Sequence, residues 1–494
     1  KEQAEQLAEH RRSRGLSSLV VDIQDVYDEF SYGDLTEQSI RDFMRFAFEN
    51  WVERPTYLLL FGRMTYDYRD ILDEGRNGRI SRVPAMPFQS VRRGQAFTDH
   101  FYGTVSGEDP FMDVWVGRVS INTTREAEAV VSKIIAYDNA PDDLWRGRAM
   151  FLANWDAVAG SALFIEDSDR LISENVDPLG LESFRVYHTA STPPEPNESS
   201  SEVIRQMNEG RLVLNFMGHG SAASMQKFIA GTFQQRGFNY MSQITNADKL
   251  PYVIAMSCLN GLYDEPTLIC FAEEMVNKAN GGSIAYTSAS SLAFVFVNNV
   301  INQSMLRYLM QEGITGFGAS LALAKTDLLA AMPGIDNGVL MMNLMGDPAQ
   351  HLAIPSGPDY VVEADDISVT GSGDVLATSD TARVVVRIRN DGIVAGEALE
   401  LVVIDRNLDT GLVDTVGTAT VAPFGLLDST AVLWPLAGRT GRWQVEVILD
   451  PSQRLTEIRT DNNRASVDVE VFGKLSAVAA FPIASQGVTS PVRL

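Results

Sequence analysis

The chain has 494 residues, enough for more than one domain, and 45% of them are hydrophobic, ample for buried cores. Forty Lys and Arg face 64 Asp and Glu, a net charge of −24, which repels nucleic acid and anionic membrane and leaves no basic footprint for either. Two cysteines cannot build a disulfide framework, no run of about 20 apolar residues offers a membrane span, and no CxxC pair, HExxH helix, EF-hand loop, P-loop, GxGxxG or GxSxG occurs.

In chain order, Lys1 opens directly into an amphipathic helix, with no signal peptide, as though the chain were cut from something longer. Residues 1–145 are expected to form a first α/β unit. Leu19–Ile23 and Tyr57–Phe61 read as strands, and Ile40, Phe43, Met44, Ala47, Phe48 and Trp51 recur between them at helical spacing, which makes one βαβ crossover. An Arg- and Gly-containing stretch runs on to Pro110, before a strand at Val114–Val119. Thr123 to Glu126 has capping-box spacing and opens a helix with Ala127, Val130, Val131, Ile134 and Ile135 on one face.

Residues 146–354 form a second α/β unit, with strands at 149–153, 184–187, 212–217, 252–256 and 283–287 alternating with helices. Residues 191–197 are a loop. Leu268–Ala279 is a helix that carries Cys270 as a packing residue, and three more helices fill 299–345 before Gly346-Asp347-Pro348. Past a linker at Ile354–Pro358 the period changes to two. Val384–Arg389, Leu399–Ile404 and Trp443–Ile448, separated by turn residues, make residues 359–473 an antiparallel immunoglobulin-like β-sandwich. It contains no Cys or His, so binding or spacing is its expected role. Residues 474–494 are a weakly patterned tail.

The chemistry gathers at two strand ends of the second unit. Leu212–Met217 runs into Gly218-His219-Gly220-Ser221, and Tyr252–Met256 runs into Ser257-Cys258-Leu259-Asn260-Gly261. Ligands bind at the carboxyl edge of an open α/β sheet, so both side chains would face one crevice. With five histidines and two cysteines in the whole chain, few other pairings exist. A thiol attacks a carbonyl well only as the thiolate, and His219 fits as the base that takes its proton. The N–H groups of Gly220 and Cys258 are the natural oxyanion donors if the two ends converge. Asp156, on the same edge, is a candidate to orient the imidazole, and equally a helix-capping or loop aspartate.

These stretches resemble the gingipain-like cysteine peptidases, relatives of caspases and separases. The match runs through Val26–Gly33, Leu59–Gly62 with Tyr66–Arg69, Val116-Gly117-Arg118, the His219 and Cys258 loops, Phe271-Ala272-Glu273 and Gly346-Asp347-Pro348. The resemblance implies a caspase-like α/β region of two subdomains with mainly parallel sheets, residues 1–145 non-catalytic and 146–354 catalytic. It makes Cys258 the nucleophile, His219 the catalytic histidine and Asp156 the third member, as Asp where the best-known members carry Glu. In arginine-cleaving members an acidic residue a little further on holds the basic substrate side chain, and Glu166, Asp167 and Asp169 fall in that region here, Asp167 and Asp169 as candidate substrate-binding residues. Thr287, Ser288 and Leu292 would line the pocket, Leu292 standing where arginine-cleaving members have Trp and Met225 where an aromatic is common.

The sandwich resembles the CARDB adhesion-like module through Asn390-Asp391-Gly392, Val447–Pro451, Glu457 and Asp461–Ala465. Together the two resemblances imply a bacterial or archaeal endopeptidase, extracellular or on the cell surface, that acts on protein or peptide through an acyl-enzyme. They imply no required cofactor, with structural calcium an option, and a protein or surface ligand for the sandwich. The alternative class is a binding or secretion-associated protein that keeps the fold and has lost turnover.

Overall fold

All of Val213–Met217 and Tyr252–Met256 is buried, as strands covered by helices on both faces require. The computed structural model describes residues 1–473 apart from 70, 72–82, 157–159, 190, 192–197, 233–239, 372–375 and 379. The tail expected at 474–494 and most of the 191–197 loop lie outside the described residues. The chain divides into two compact units, Lys1–Pro358 with Asn390–Val394, and Asp359–Arg389 with Ala395 onward.

In the first unit, α1 (Glu2–Ser13), α2 (Ile23–Ser31) and α3 (Glu37–Asn50) precede β1 (Tyr57–Phe61). A hairpin of β2 (Met86–Ser90) and β3 (Gly94–Thr98) leads to β4 (Trp115–Val119) and α4 (Thr124–Asn139). Then come β5 (Arg148–Asn154), α5 (Leu163–Leu171), β6 (Glu182–His188), α6 (Glu198–Glu209) and β7 (Val213–Met217). Three two-residue strands, β8 (Gly220–Ser221), β9 (Ser224–Met225) and β10 (Ile229–Ala230), precede α7 (Tyr240–Gln243) and β11 (Tyr252–Met256). The unit closes with α8 (Phe271–Asn277), β12 (Ala285–Ala289), α9 (Val295–Met310), α10 (Phe317–Ala331), α11 (Asp336–Met341) and β13 (Met342–Met345).

One eight-stranded sheet runs in the order β1-β4-β13-β12-β11-β7-β5-β6. β6, β5, β7, β11 and β12 are parallel, β13 is antiparallel to β12, and β13, β4 and β1 are parallel again. Two parallel blocks of opposite direction thus meet at one antiparallel seam. The segments on either side of residue 145 both supply strands to this sheet. The carboxyl ends of β5, β7, β11 and β12 share one edge.

Local chemistry explains several boundaries. The capping box at Thr123 and Glu126 is present and starts α4, and Thr36 caps α3 through the Ser39 N–H. The strand expected at Leu19–Ile23 does not form. Asp22 instead accepts from Gln24 N and caps α2, and Leu19 is left 68% exposed. The helix around Cys270 is shorter than expected, starting at Phe271 with Cys270 buried at its N-cap. Met342–Met345, taken from sequence as the end of a helical stretch, is the strand that makes the seam.

Arg118 of β4 ties the sheet to the β2–β3 hairpin. It is fully buried; its Nε and Nη2 donate to the Asp99 carboxylate at 2.8 and 2.6 Å, and its Nη1 donates to the Gly62 and Val83 carbonyls at 2.8 Å each. Its donors are therefore met where the chain leaves β1 and where it enters the hairpin, and its charge where the chain leaves the hairpin.

The second unit holds β14 (Tyr360–Val361), β15 (Ile367–Thr370), β16 (Leu376–Ala377), β17 (Thr381–Asn390), β18 (Leu399–Asn407), β19 (Val413–Val421), β20 (Leu427–Pro435), β21 (Gly441–Leu449) and β22 (Arg464–Phe472). They form a four-stranded and a five-stranded sheet. Alternate residues of β17, β18 and β21 are buried, which is the period of two read from the sequence. Trp434 and Trp443 meet in the core at 6.4 Å between ring centroids, and the Trp434 indole N–H donates to the buried Asp405 carboxylate at 2.5 Å.

Arg118→Leu strands Asp99 in the interior without its guanidinium. It should lower the unfolding free energy of the first unit by about 3–5 kcal/mol, seen as a fall in the urea midpoint by tryptophan fluorescence. An unchanged midpoint would contradict this reading of the network.

Candidate active site

β7 and β11 pair in register from Val213 with Tyr252 to Met217 with Met256. His219 and Cys258 are each the second residue past a strand end, so parallel pairing delivers them side by side. The loops also touch. A Cβ on Gly220 would stand 2.5 Å from Ser257 Oγ and 2.8 Å from the Cys258 carbonyl oxygen, and one on Gly218 would stand 2.2 Å from Asn154 Oδ1. No side chain fits at either position.

Asn260 locks this arrangement. Its amide group is fully buried, and its Nδ2 donates to the carbonyls of Ser221 and Ser224 at 2.6 and 2.9 Å. Its Oδ1 accepts from Ser257 Oγ at 3.0 Å and from the Tyr286 hydroxyl at 3.2 Å. One side chain thus uses its full hydrogen-bonding capacity to join the Cys258 loop, the His219 hairpin and β12. Leu259, just after the cysteine, has φ 64, a left-handed conformation that costs a non-glycine residue about 1 kcal/mol or more. Its N–H donates to Ser291 O at 3.1 Å, and its carbonyl accepts from Leu262 N at 3.0 Å. The resulting turn is sharp.

The imidazole has a partner. Its Nε2 lies 3.1 Å from Asp156 Oδ1, and because a carboxylate only accepts, Nε2 carries the proton and leaves Nδ1 as the basic nitrogen. Asp156 is 5% exposed and fixed by paired backbone hydrogen bonds with Ser161 at 3.0 and 3.2 Å. The edge of Phe164 packs at right angles on the His219 ring, 5.6 Å between centroids. Cys258 is partly exposed; its Sγ accepts from Ala293 N at 3.3 Å and its thiol faces the Ala293 carbonyl at 3.8 Å.

The other histidines and the other cysteine are occupied differently. His188 ends β6 on the same edge, but it is buried against Phe228 at 4.3 Å, and burial pushes its pKa down to about 4, so it stays neutral. Burial also drives His100 well below its ordinary value. His10 is paired with Asp138, and His351 with Thr315. Burial raises the Cys270 thiol well above its usual range.

The expected pocket residues fare unequally. Thr287 is fully buried, with its hydroxyl 2.7 Å from that of Tyr252, and so faces the core. Ser288 is also buried, its Oγ 2.6 Å from the position of a Gly261 Cβ, so it packs beneath the Cys258 loop. Leu292 is half-buried beside Ala293. Asp167 shares the Phe164 face of α5, and its two oxygens are held by Arg170 and by Asn299 at 2.5 Å each. Asp169 lies on the other flank, bonded to Arg185 at 3.1 Å and Tyr187 at 2.8 Å, away from Phe164. Sequence reading missed the roles of Asn260 and Ala293. Asn260 at least was visible as a polar residue between Cys258 and a glycine. Among the described residues no group of three or more His, Cys, Asp and Glu is placed to hold a metal ion, and no calcium site is assigned.

The model of peptidase family C25 matches residues 1–353. Gingipain R2 of Porphyromonas gingivalis is 25% identical over 307 residues, 61% of this chain and 36% of that protein. Gingipain R1 of the same organism is 26% identical over 298 residues, 60% of this chain and 26% of that protein. The match therefore spans between about a quarter and little more than a third of the length of these relatives. The crystal structure of the Arg-specific cysteine proteinase gingipain R (RgpB) superposes with a TM-score of 0.59 at 18% identity, covering 95% of this chain and 94% of that one. The complex of the Porphyromonas gingivalis RgpB pro- and mature domains gives 0.59 at 19% identity, covering 95% and 97%. The fold is the caspase-like one.

Asn260→Ala leaves two carbonyls and two hydroxyls without their buried partner. Stability should fall by about 2–4 kcal/mol, and amide hydrogen exchange across residues 219–226 should speed up more than across β17 and β18. Equal exchange in the two regions would mean that Asn260 does not hold the hairpin.

Proposed function

The chain belongs to peptidase family C25, and from that premise we propose that it is an endopeptidase working through Cys258, His219 and Asp156. The observation that carries the proposal is the Asp156–His219 contact on a strand end in register with that of Cys258. His219 Nδ1 takes the thiol proton and the thiolate attacks the scissile carbonyl carbon. The oxyanion is received by the N–H groups of Gly220 and Cys258. Gln226 N donates to His219 O at 3.2 Å, so the paired Gly220 and Met225 fall in the non-hydrogen-bonded class of the hairpin, and the Gly220 N–H is directed away from β9. Collapse expels the amine, which takes its proton from the His219 imidazolium and leaves a thioester. Water, deprotonated by His219, then releases the acid and the Cys258 thiolate. Asp156 keeps the imidazole in the tautomer this needs and stabilises its charged form.

The substrate is a protein or peptide. Preference for a basic side chain is not part of the proposal, because Asp167 already carries Arg170 and Asn299. Work outside the cell or on its surface belongs to the same reading and rests on kinship alone. No described helix is long and apolar enough to cross a membrane.

A cleavage profile on a peptide mixture tests the proposal. The chain should cut peptides, and both a thiol alkylator and Cys258→Ala should abolish cutting; turnover that survives either would refute the assignment. Asp156→Asn should lower kcat by about 10²-fold or more while the fold persists. An unchanged kcat would remove Asp156 from the mechanism.

A further inference from the structure

The β2–β3 hairpin carries residues of the amino-terminal segment to the wall of the crevice. Buried Ser90 and Ser291 place their hydroxyl oxygens 2.6 Å apart, and Val91 N donates to Asn337 Oδ1 at 3.1 Å. Arg93 is ion-paired with Asp264 at 2.9 Å and Glu265 at 3.2 Å. These contacts fix both sides of the hairpin tip. Between them stands Arg92, exposed, with its guanidinium carbon 4.5 Å above the centre of the Phe294 ring.

Phe294 directly follows Ala293, the residue whose N–H faces the Cys258 sulfur. It lies against Phe296, 5.4 Å between centroids, and Phe296 is 45% exposed. Arg92 thus stands on an aromatic shelf beside the nucleophile. Among the described residues it has no ion-pair partner, although acidic residues outnumber basic ones 64 to 40. A guanidinium stacked on a ring keeps its edge donors open, in the fork geometry that matches a carboxylate. A stacking role alone would need no charge reading at all.

We propose that Arg92 is a specificity-determining residue, binding the carboxylate of an acidic side chain in the substrate on the Phe294 side of the scissile bond, with Phe296 covering its apolar stem. This rests on the peptidase reading above.

The test uses Cys258→Ala, which allows binding without cleavage, and fluorescent peptides that differ only by Glu, Gln or Lys at each position in turn. At one position the Glu peptide should bind about tenfold more tightly than the Gln peptide, the scale of one charge-assisted pair. Adding Arg92→Glu should reverse the order so that the Lys peptide binds best, and Arg92→Lys should retain part of the preference. Because Arg92 is exposed on a turn, these substitutions leave the core intact. A Glu-to-Gln ratio near one at every position, or a ratio that Arg92→Glu does not move, would overturn the inference. Failure of the peptidase reading would look different: the native chain would leave every peptide uncut while charge-ordered binding persisted.

Discussion

Two loops from separate strands must be held at a fixed separation for a thiol and an imidazole to act on one carbonyl, and the buried amide of Asn260 imposes that separation. Three of its four hydrogen bonds cross from the Cys258 loop, two to the His219 hairpin and one to β12, and the fourth, from Ser257, braces the loop itself. In a dry interior each bond left unmade costs about 1–3 kcal/mol, so the loops cannot drift apart one bond at a time. Sterics act in the same direction: Gly220 and Gly218 let backbone close to distances that any Cβ would forbid. Groups that act together on one bond need placement to about 0.5 Å, and under the proposed mechanism the sheet and the amide together supply it for Cys258 and His219.

The antiparallel seam between β12 and β13 widens the consequence. It sets two parallel blocks of opposite direction in one sheet, so chain from the first block can return to the edge where the second block presents its reactive residues. The β2–β3 hairpin makes that return. It is anchored at its stem by Arg118, which bonds the Val83 carbonyl, and near its tip by the contact of Ser90 with Ser291. Both segments of the first unit therefore meet close to Cys258, where Ser90 touches Ser291 and Arg92 stacks on Phe294.

Much of this was legible in the sequence, for reasons that differ by element. β7 and β11 were readable because strands buried on both faces are nearly continuous apolar runs, β7 being interrupted only by Asn215. The sandwich was readable because half-buried strands alternate. The scarcity of Cys and His isolated Cys258 and His219, and the structure adds what scarcity could not: His188 is buried against Phe228, and Cys270 is buried at a helix N-cap beside Glu273. Other features depend on neighbours that a local pattern does not contain. Leu19–Ile23 has strand composition and no partner strand, while Met342–Met345 follows a helix without punctuation and becomes a strand because β12 and β4 flank it. The hairpin at 86–98 contains Pro and Gln and owes its place to buried polar contacts, not to periodicity. Thr287 and Asp169 were assigned by position in a motif, and strand alternation and helix angle turn them elsewhere.

The account stands on a covalent bond between substrate and Cys258, and that bond can be weighed. Acid quenching during turnover of a peptide, followed by intact-mass and peptide-mapping spectrometry, should find the chain heavier by the acyl fragment of the cleaved substrate, attached at Cys258. The adduct should be absent in the Cys258→Ala chain. A cleaving chain with no adduct on any rapid quench, or with the adduct at another residue, would contradict the assignment of Cys258 as the nucleophile.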